Sequence, residues 1–438
     1  MISSEPIIKI GVVENYVEVS GELLEKFKIT NDVIVTGKFK AILKNGEIIL
    51  YGGKEIELIR GKEITFAPVN GGAFTIHDVV FGINFHWERK EHQTFQGSLR
   101  LVARNKGITA INEVSVEKYL ASVISSEMSA SAPMDLLKAH AITSRSWLVA
   151  MLEMKKKFSN LGIPSQRTTQ TENELIRYYD REDHDIFDVC ADDHCQRYQG
   201  ITKDISNAAT EAISATRGMF LVYQNDICDA RFSKSCGGIS EPFHTTWGET
   251  QYHYLMPVSC SEQHQYTPPQ SNTEAEEWIL SSPEAFCNTT DGNILRQILP
   301  SFDQETTDFF RWKVQYSTTE LSELVQNKSG IDFGTILSLI PLQRGPSGRI
   351  TRLKIEGTKR TLVVGKELEI RRWLSKSHLY SSAFVVQKEN DAFVLRGAGW
   401  GHGVGLCQIG AAVMAVKGFK AEEIVKHYFQ DAELKKLY

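Results

Sequence analysis

The 438-residue chain reads as α+β: a β-rich N-terminal module followed by a mixed region with two successive helices, an inserted lobe and a glycine-rich turn. Three observations predict this. Short β-rich runs separated by Asn-Gly and Gly-Gly pairs occupy residues 7 to about 110. Apolar residues at helical spacing begin at Val116. Strands and helices then come in separate runs, unlike the regular alternation of βαβ units.

The first strands are expected at Ile7–Val13, Val33–Thr36, Ala41–Leu43, Ile48–Tyr51 and Gly97–Ala103. A helix over Val116–Glu127 is followed by small and hydroxyl residues and then Pro133, a suitable first helical residue, so a second helix is expected from there to about Lys157. A polar stretch from Ser159 to Arg181 leads to a helix over Asp204–Thr216, closed by Gly218, and to a hairpin of Met219–Tyr223 with Ile227–Phe232. Ile350–Val364 returns to strand character, Phe384–Gln387 and Phe393–Arg396 form a last hairpin, and a closing helix runs to about Val416. The expected divisions are 1–96 (β-rich module), 97–261, 262–330 (insertion or outer lobe) and 331–438.

Composition narrows the function. Hydrophobic content of 42% and charged content of 24% are ordinary for a folded protein. A net charge of -5 without a basic block argues against a nucleic-acid partner, which needs clustered Lys and Arg. No run approaches the roughly 18 apolar residues of a membrane span. The start, Met1-Ile-Ser-Ser-Glu-Pro6, has no charged and then apolar leader pattern, which fits either a cytoplasmic protein or one whose signal is absent from this sequence.

Tyr119, Val123 and Glu127 fall at i, i+4 and i+8, so a carboxylate continues a largely apolar helix face. In the next helix Lys138, Ile142 and Arg145 fall at i, i+4 and i+7, placing two cations on one face about 10 Å apart. One acid and two bases are thus expected to border one cleft. The bland alternative is a pair of solvated helix faces.

His184, Cys190, His194 and Cys195 lie within twelve residues. Two thiolates and two imidazoles suit tetrahedral Zn²⁺, and four protein ligands leave no open position, so the site is expected to be structural. The adjacent pair His194-Cys195 requires a non-helical turn, which Asp192-Asp193 permits. No His-Glu-x-x-His is present, which weakens a zinc hydrolase. The other cysteines, Cys228, Cys236, Cys260, Cys287 and Cys407, could be free, or four could pair in three ways with one left over.

Arg396-Gly-Ala-Gly-Trp400-Gly-His402-Gly-Val-Gly-Leu-Cys-Gln408-Ile-Gly combines six glycines with Trp, His and Gln. It lacks the Gly-Lys-Ser/Thr of a phosphate loop. An aromatic ring beside hydrogen-bonding side chains suits a sugar, and structural packing is the competing explanation of the glycines. Ser235, with Gly237 and Gly238, follows a strand in a third, weaker patch.

Together, Val116–Met128 with Pro133, Lys138-Ala-His-Ala and Arg145, then Cys236-Gly-Gly with Trp247-Gly, then Gly399–Ala411 and His427-Tyr-Phe resemble the SpoIID/LytB family of bacterial cell-wall proteins. The resemblance runs from about Gly97 to the C-terminus, interrupted near 262 to 330. It implies a peptidoglycan lytic transglycosylase in which Glu127 matches the catalytic acid and Lys138 and Arg145 its supporting cations. Ser235, Trp400, His402 and Gln408 are the other expected substrate contacts. His184, Cys190, His194 and Cys195 match a zinc cluster of some sporulation members. Glycan strands are the expected partner, with a cell-wall amidase as a second one, and the expected location is extracytoplasmic. The alternative is a non-catalytic glycan-binding protein that enhances such an amidase.

Overall fold

The computed structural model describes residues 2–82, 88–129, 131–161, 167–179, 184–192, 194–202, 206–262, 267–298 and 308–438. The chain divides into two compact units, one built from Ile2–Ala130, Asp183–Gly218 and Leu437–Tyr438, the other from Ser131–Glu182 and Met219–Lys436. Both strands and helices are abundant, in the α+β manner. No described helix is long and apolar enough to cross a membrane.

The first unit is dominated by one sheet. Its strands are β1 (Ile7–Tyr16), β2 (Glu18–Ile29), β3 (Ile34–Lys44), β4 (Glu47–Tyr51), β5 (Glu57–Gly61), β6 (Glu63–Pro68), β7 (Ala73–Phe81), β8 (Arg89–Gln96), β9 (Ser98–Arg104) and β10 (Gly107–Ser115). The order is β1-β10-β9-β6-β2-β3-β4-β5, with β7 joining β2 to β8 and the short strand Val189–Cys190 added beside β1. The expected break near residue 96 is corrected by this pairing. β9 and β10 pair with β6 and β1, so the sheet continues to the residue where helix α1 (Val116–Glu127) begins. Strands β2, β5–β8 and β10 lie outside the five expected runs; in β8 the charged and polar Arg89-Lys-Glu-His-Gln-Thr-Phe-Gln buries only Gln93 and Phe95. The runs at 33–36 and 41–43 belong to one strand, β3. Phe95 joins the interior, its ring 5.7 Å from Phe74 and 5.9 Å from Tyr198.

In the second unit the long helix α2 (Met134–Leu161) follows Pro133. A five-stranded sheet runs Arg167–Gln170, Glu174–Tyr178, Thr361–Gly365, Ile350–Gly357, Ile336–Arg344. A separate three-stranded sheet has Ala392–Ala398 at its centre, between Arg311–Ser317 and Phe384–Glu389. The expectation of an outer lobe over 262–330 therefore fails for its last third: Arg311–Ser317 is hydrogen-bonded along its length to Ala392–Ala398, and Leu321 and Val325 of the next helix are fully buried in the core. The hairpin at 219–232 is also shorter than expected. Of its expected second strand only the start, at Asp226–Ile227, pairs with Met219–Tyr223, whose other edge takes Glu433–Lys436, while Phe232–Ser233 pairs in parallel with Leu406–Cys407. The helix expected over 204–216 is Asn207–Ala215, capped by the Ser206 hydroxyl; Asp204 lies outside the described residues, as does part of the 159–181 stretch.

Replacing Phe95 with Ala removes a fully buried ring at the centre of an aromatic row, and should destabilise the protein by about 3–5 kcal/mol in urea unfolding.

Candidate functional site

Helix α1 buries Val116, Tyr119, Leu120, Val123 and Ile124. Its two acids have opposite fates. Glu117 is buried and accepts hydrogen bonds from the Gly218 amide at 3.3 Å and the Tyr438 hydroxyl at 2.6 Å. Glu127 ends the helix half-buried, and among the described residues its carboxylate makes no hydrogen bond or ion pair.

The loop after Cys195 packs on α1. Tyr198 stacks on Tyr119 with ring centroids 5.1 Å apart, and the Gln199 amide donates to Ser122 Oγ at 3.1 Å. Tyr198 is itself held by its hydroxyl, which donates to Asn112 Oδ1 at 2.6 Å. Burial pushes the Tyr119 hydroxyl well above its ordinary range, and charge at Cys195, Cys190 and Glu127 pushes it further. Sequence reasoning missed three groups here. The Tyr119 hydroxyl and the side-chain amides of Gln196 and Gln199 are buried without a hydrogen-bond partner among the described residues, an unusual state for polar atoms in a folded chain.

The His/Cys loop lies in the same unit. Cys190 is placed by the parallel pairing of Val189–Cys190 with β1, opposite Gly11. A side chain at Gly11 would come within 2.6 Å of the Phe187 ring, which stacks on His184 at 4.4 Å. His184 Nε2 lies 3.4 Å from Cys195 Sγ, while His194 Nδ1 lies 3.5 Å from Cys195 Sγ and 3.8 Å from Cys190 Sγ. All four donor atoms fall within 4.8 Å of one another. Tetrahedral zinc, with bonds of about 2.0–2.3 Å, sets its ligand atoms about 3.3–3.8 Å apart, so the donor set fits that ion. Cys195, with His184 and His194, holds the Cys190 thiol well below its usual range, down to about 2, which favours the thiolate that a metal binds. The turn does contain Asp192, while Asp193 lies outside the described residues.

The remaining expected site residues belong to the second unit. Lys138 is half-buried on α2. Arg145 corrects the expectation of a second cation facing a cleft: it is 0% exposed and donates to the Met219 carbonyl at 3.2 Å. One residue on, Ser146 Oγ accepts from the Leu221 amide at 2.9 Å, so this face of α2 fastens the strand Met219–Tyr223.

The glycine-rich turn is wrapped around a residue that sequence reasoning also missed. The wholly buried Arg349 donates to the carbonyls of Gly401, at 3.1 Å, and Cys236, also at 3.1 Å, and to Ser347 Oγ at 2.9 Å. Ser347 in turn donates to the buried Glu241, whose amide is bonded to the Gly403 carbonyl. Burial pushes the Glu241 carboxyl up, against the pull of Ser347, Thr245 and Arg349. Gly403 has φ of +78°, and a Cβ there would stand 2.4 Å from the Arg349 guanidinium carbon. The glycine is needed for packing.

On this turn Trp400 is half-exposed, its ring stacked on Phe309 at 4.7 Å and set edge-on to Tyr380 at 4.6 Å. Its backbone is bonded in both directions to Ser235, at 3.0 and 2.8 Å. Ser235 itself is 0% exposed, and Gln408 is 3% exposed with its amide 3.0 Å from His140 Nε2, so neither side chain presents itself to a ligand as expected. His402 is half-buried against Trp247 at 4.5 Å, and its Nδ1 accepts from the Val404 amide at 3.0 Å. Desolvation, with Arg231, Arg371 and Arg349 nearby, pushes this imidazole well below its ordinary range and keeps it neutral.

Residues 104–223 match the family described as Stage II sporulation protein (SpoIID), and residues 241–405 match a domain of unknown function (DUF8618). An uncharacterized protein of Brachyspira hyodysenteriae is 26% identical, over 78% of this chain and 72% of the relative. Stage II sporulation protein D of Bacillus subtilis is 23% identical, over 74% of this chain and 76% of its own length. An amidase enhancer of the same organism is 22% identical, over 51% of this chain and 32% of the relative.

Two outcomes are expected. Gly403→Ala adds a strained backbone to a clash with a buried guanidinium and should cost more than about 2 kcal/mol in chemical denaturation. Cys190→Ser should lower the zinc content of the purified protein by one equivalent, measured by inductively coupled plasma mass spectrometry.

Proposed function

The chain belongs to the SpoIID/LytB family, and from that premise we propose that it is a peptidoglycan lytic transglycosylase with Glu127 as its acid and base. The observation that carries this reading is the contrast on α1. Glu117 is held by two hydrogen bonds, whereas Glu127, at the end of the same helix, is half-buried with its carboxylate unengaged among the described residues.

Hydrolysis of a glycosidic bond ordinarily needs two carboxylates, one to protonate the leaving oxygen and one to act as nucleophile or activate water. A muramic acid residue carries its own nucleophile. In the proposed reaction Glu127 donates its proton to the oxygen between MurNAc and GlcNAc as the bond to the anomeric carbon breaks. The muramic 6-hydroxyl closes on that carbon, and the Glu127 carboxylate takes the hydroxyl proton. A 1,6-anhydro-MurNAc end forms, GlcNAc leaves with a free 4-hydroxyl, and the acid is regenerated.

Other residues support this reading in distinct ways. Trp400, backed by Phe309 and Tyr380, offers an aromatic face suited to the apolar side of a pyranose. Lys138 is a half-buried cation suited to an acidic group of the glycan. His184, Cys190, His194 and Cys195 would hold a structural Zn²⁺, whose loop continues directly into the Tyr198 and Gln199 contacts with α1. The substrate places the protein at the extracytoplasmic cell wall.

A second reading, in which the chain holds glycan strands for a cell-wall amidase, draws on the aromatic platform and on the relative named amidase enhancer. The two readings separate on Glu127→Gln, with digests of purified glycan analysed by mass spectrometry. The transglycosylase reading expects anhydro-muropeptide release to fall by at least about 100-fold while glycan binding persists. Unchanged release by the variant would remove Glu127 from the reaction, and wild-type protein that binds glycan without releasing anhydro products would favour the amidase-assisting reading.

A further inference from the structure

The cysteines left unassigned by the sequence converge. Cys236, Cys260, Cys287 and Cys407, separated widely along the chain, place their sulfurs within 4.8 Å of one another in the second unit. All four are buried, between 0% and 2% exposed. Cys228, the fifth, does not join them.

We propose that these four cysteines form a second metal site, a closed all-thiolate tetrahedron for one Zn²⁺. The dimensions fit a single ion. A zinc–sulfur bond of about 2.3 Å gives a tetrahedral edge of about 3.8 Å, and Cys236 Sγ lies 3.7 Å from Cys287 Sγ. A disulfide would need about 2.05 Å, and none of the four is bonded to another.

The surroundings are those that zinc-bound sulfur requires. Cys407 Sγ accepts from two backbone amides, Cys236 at 3.3 Å and Gly410 at 3.4 Å. The Tyr428 hydroxyl lies 3.2 Å from Cys260 Sγ, where it can donate. Such donors orient thiolates and spread their charge. Gly410 leaves the necessary room, since a Cβ there would stand 2.5 Å from Cys260 Sγ and 2.3 Å from the Tyr428 oxygen.

Charge balance points the same way. Four thiolates around Zn²⁺ carry a net charge of about minus two, which a low-dielectric interior accepts only if it is compensated. Two guanidinium groups border the cluster: the buried Arg349 donates to the Cys236 carbonyl at 3.1 Å and the half-buried Arg311 to the Gly237 carbonyl at 3.0 Å. The ion would tie together the Cys236 turn, which carries Ser235 and through it Trp400, the loops at Cys260 and Cys287, and the N-cap of the helix Gln408–Val416.

The test uses full-length protein purified without added metal or chelator. Metal analysis should find two zinc ions per chain. The double variant Cys190→Ser/Cys195→Ser should keep one, and X-ray absorption on that remaining zinc should show sulfur alone in the first shell at about 2.3 Å. Cys260→Ser/Cys287→Ser should also lose one equivalent. Should that second variant fail to fold, the absorption measurement on the first still decides. The proposal is overturned if Cys190→Ser/Cys195→Ser protein holds no metal, if its zinc shell contains nitrogen or oxygen, or if intact mass shows disulfides among the four cysteines. Acid-labile sulfide, the sign of an iron–sulfur cluster, would overturn it equally.

Discussion

The buried guanidinium of Arg349 is the interaction on which the second unit's glycine-rich turn depends. An unpaired buried cation is costly, and here its donors meet two backbone carbonyls and the hydroxyl of Ser347, which passes the contact on to Glu241. The carbonyls belong to segments far apart in sequence, Cys236 and Gly401. One side chain therefore fixes how the turn after Ala398 lies against the turn after Ser233. The close approach leaves no volume for a Cβ at Gly403, and the sequence consequence is a run of glycines. Trp400 is the outward product of the same arrangement, its backbone bonded to Ser235 while its ring rests on Phe309.

The first unit solves a similar problem with aromatic stacking. Glu127 is presented by the last turn of a helix that buries Tyr119 and Val123 on the same stripe, so its position follows from how that stripe is packed. Phe95, Tyr198 and Tyr119 form a continuous row from the sheet to α1. The middle ring lies three residues after Cys195, and its hydroxyl is held by Asn112 of β10. A metal in the His/Cys loop would act on the acid indirectly, by setting the entry of the segment that carries Tyr198. That arrangement would give such an ion a bearing on the position of Glu127 without touching it.

What the sequence revealed depended on range. Helix α1 was legible because its period is local, and the His/Cys set because its four ligands fall within one loop. Strands such as β2 and β8 were not, since their exposed positions are largely charged or polar and the buried face alone carries little signal. Arg349 and the four core cysteines left no trace in local pattern: their meaning lies in contacts between segments such as Cys236 and Cys407. Arg145 misled for a related reason. Helical spacing correctly aligns it with Lys138 on α2, but spacing cannot tell a face that meets solvent from one that meets the strand at Met219. The composition of the glycine run suggests a ligand, while Gly403 is closed against the protein's own Arg349.

These placements bear on how a glycan would be held under the proposed function. Of the residues expected to contact it on the second unit, Arg145, Ser235 and Gln408 are buried and engaged with the protein, and His402 is neutral with its Nδ1 bound to the backbone. Lys138 and Trp400 remain available. Recognition built on one cation and one aromatic face would lean on ring stacking more than on ion pairing. Stacking of this kind reads the repeating shape of a sugar strand and tolerates variation in its substituents. The buried polar residues would then contribute by rigidity, holding that face in place before any ligand arrives.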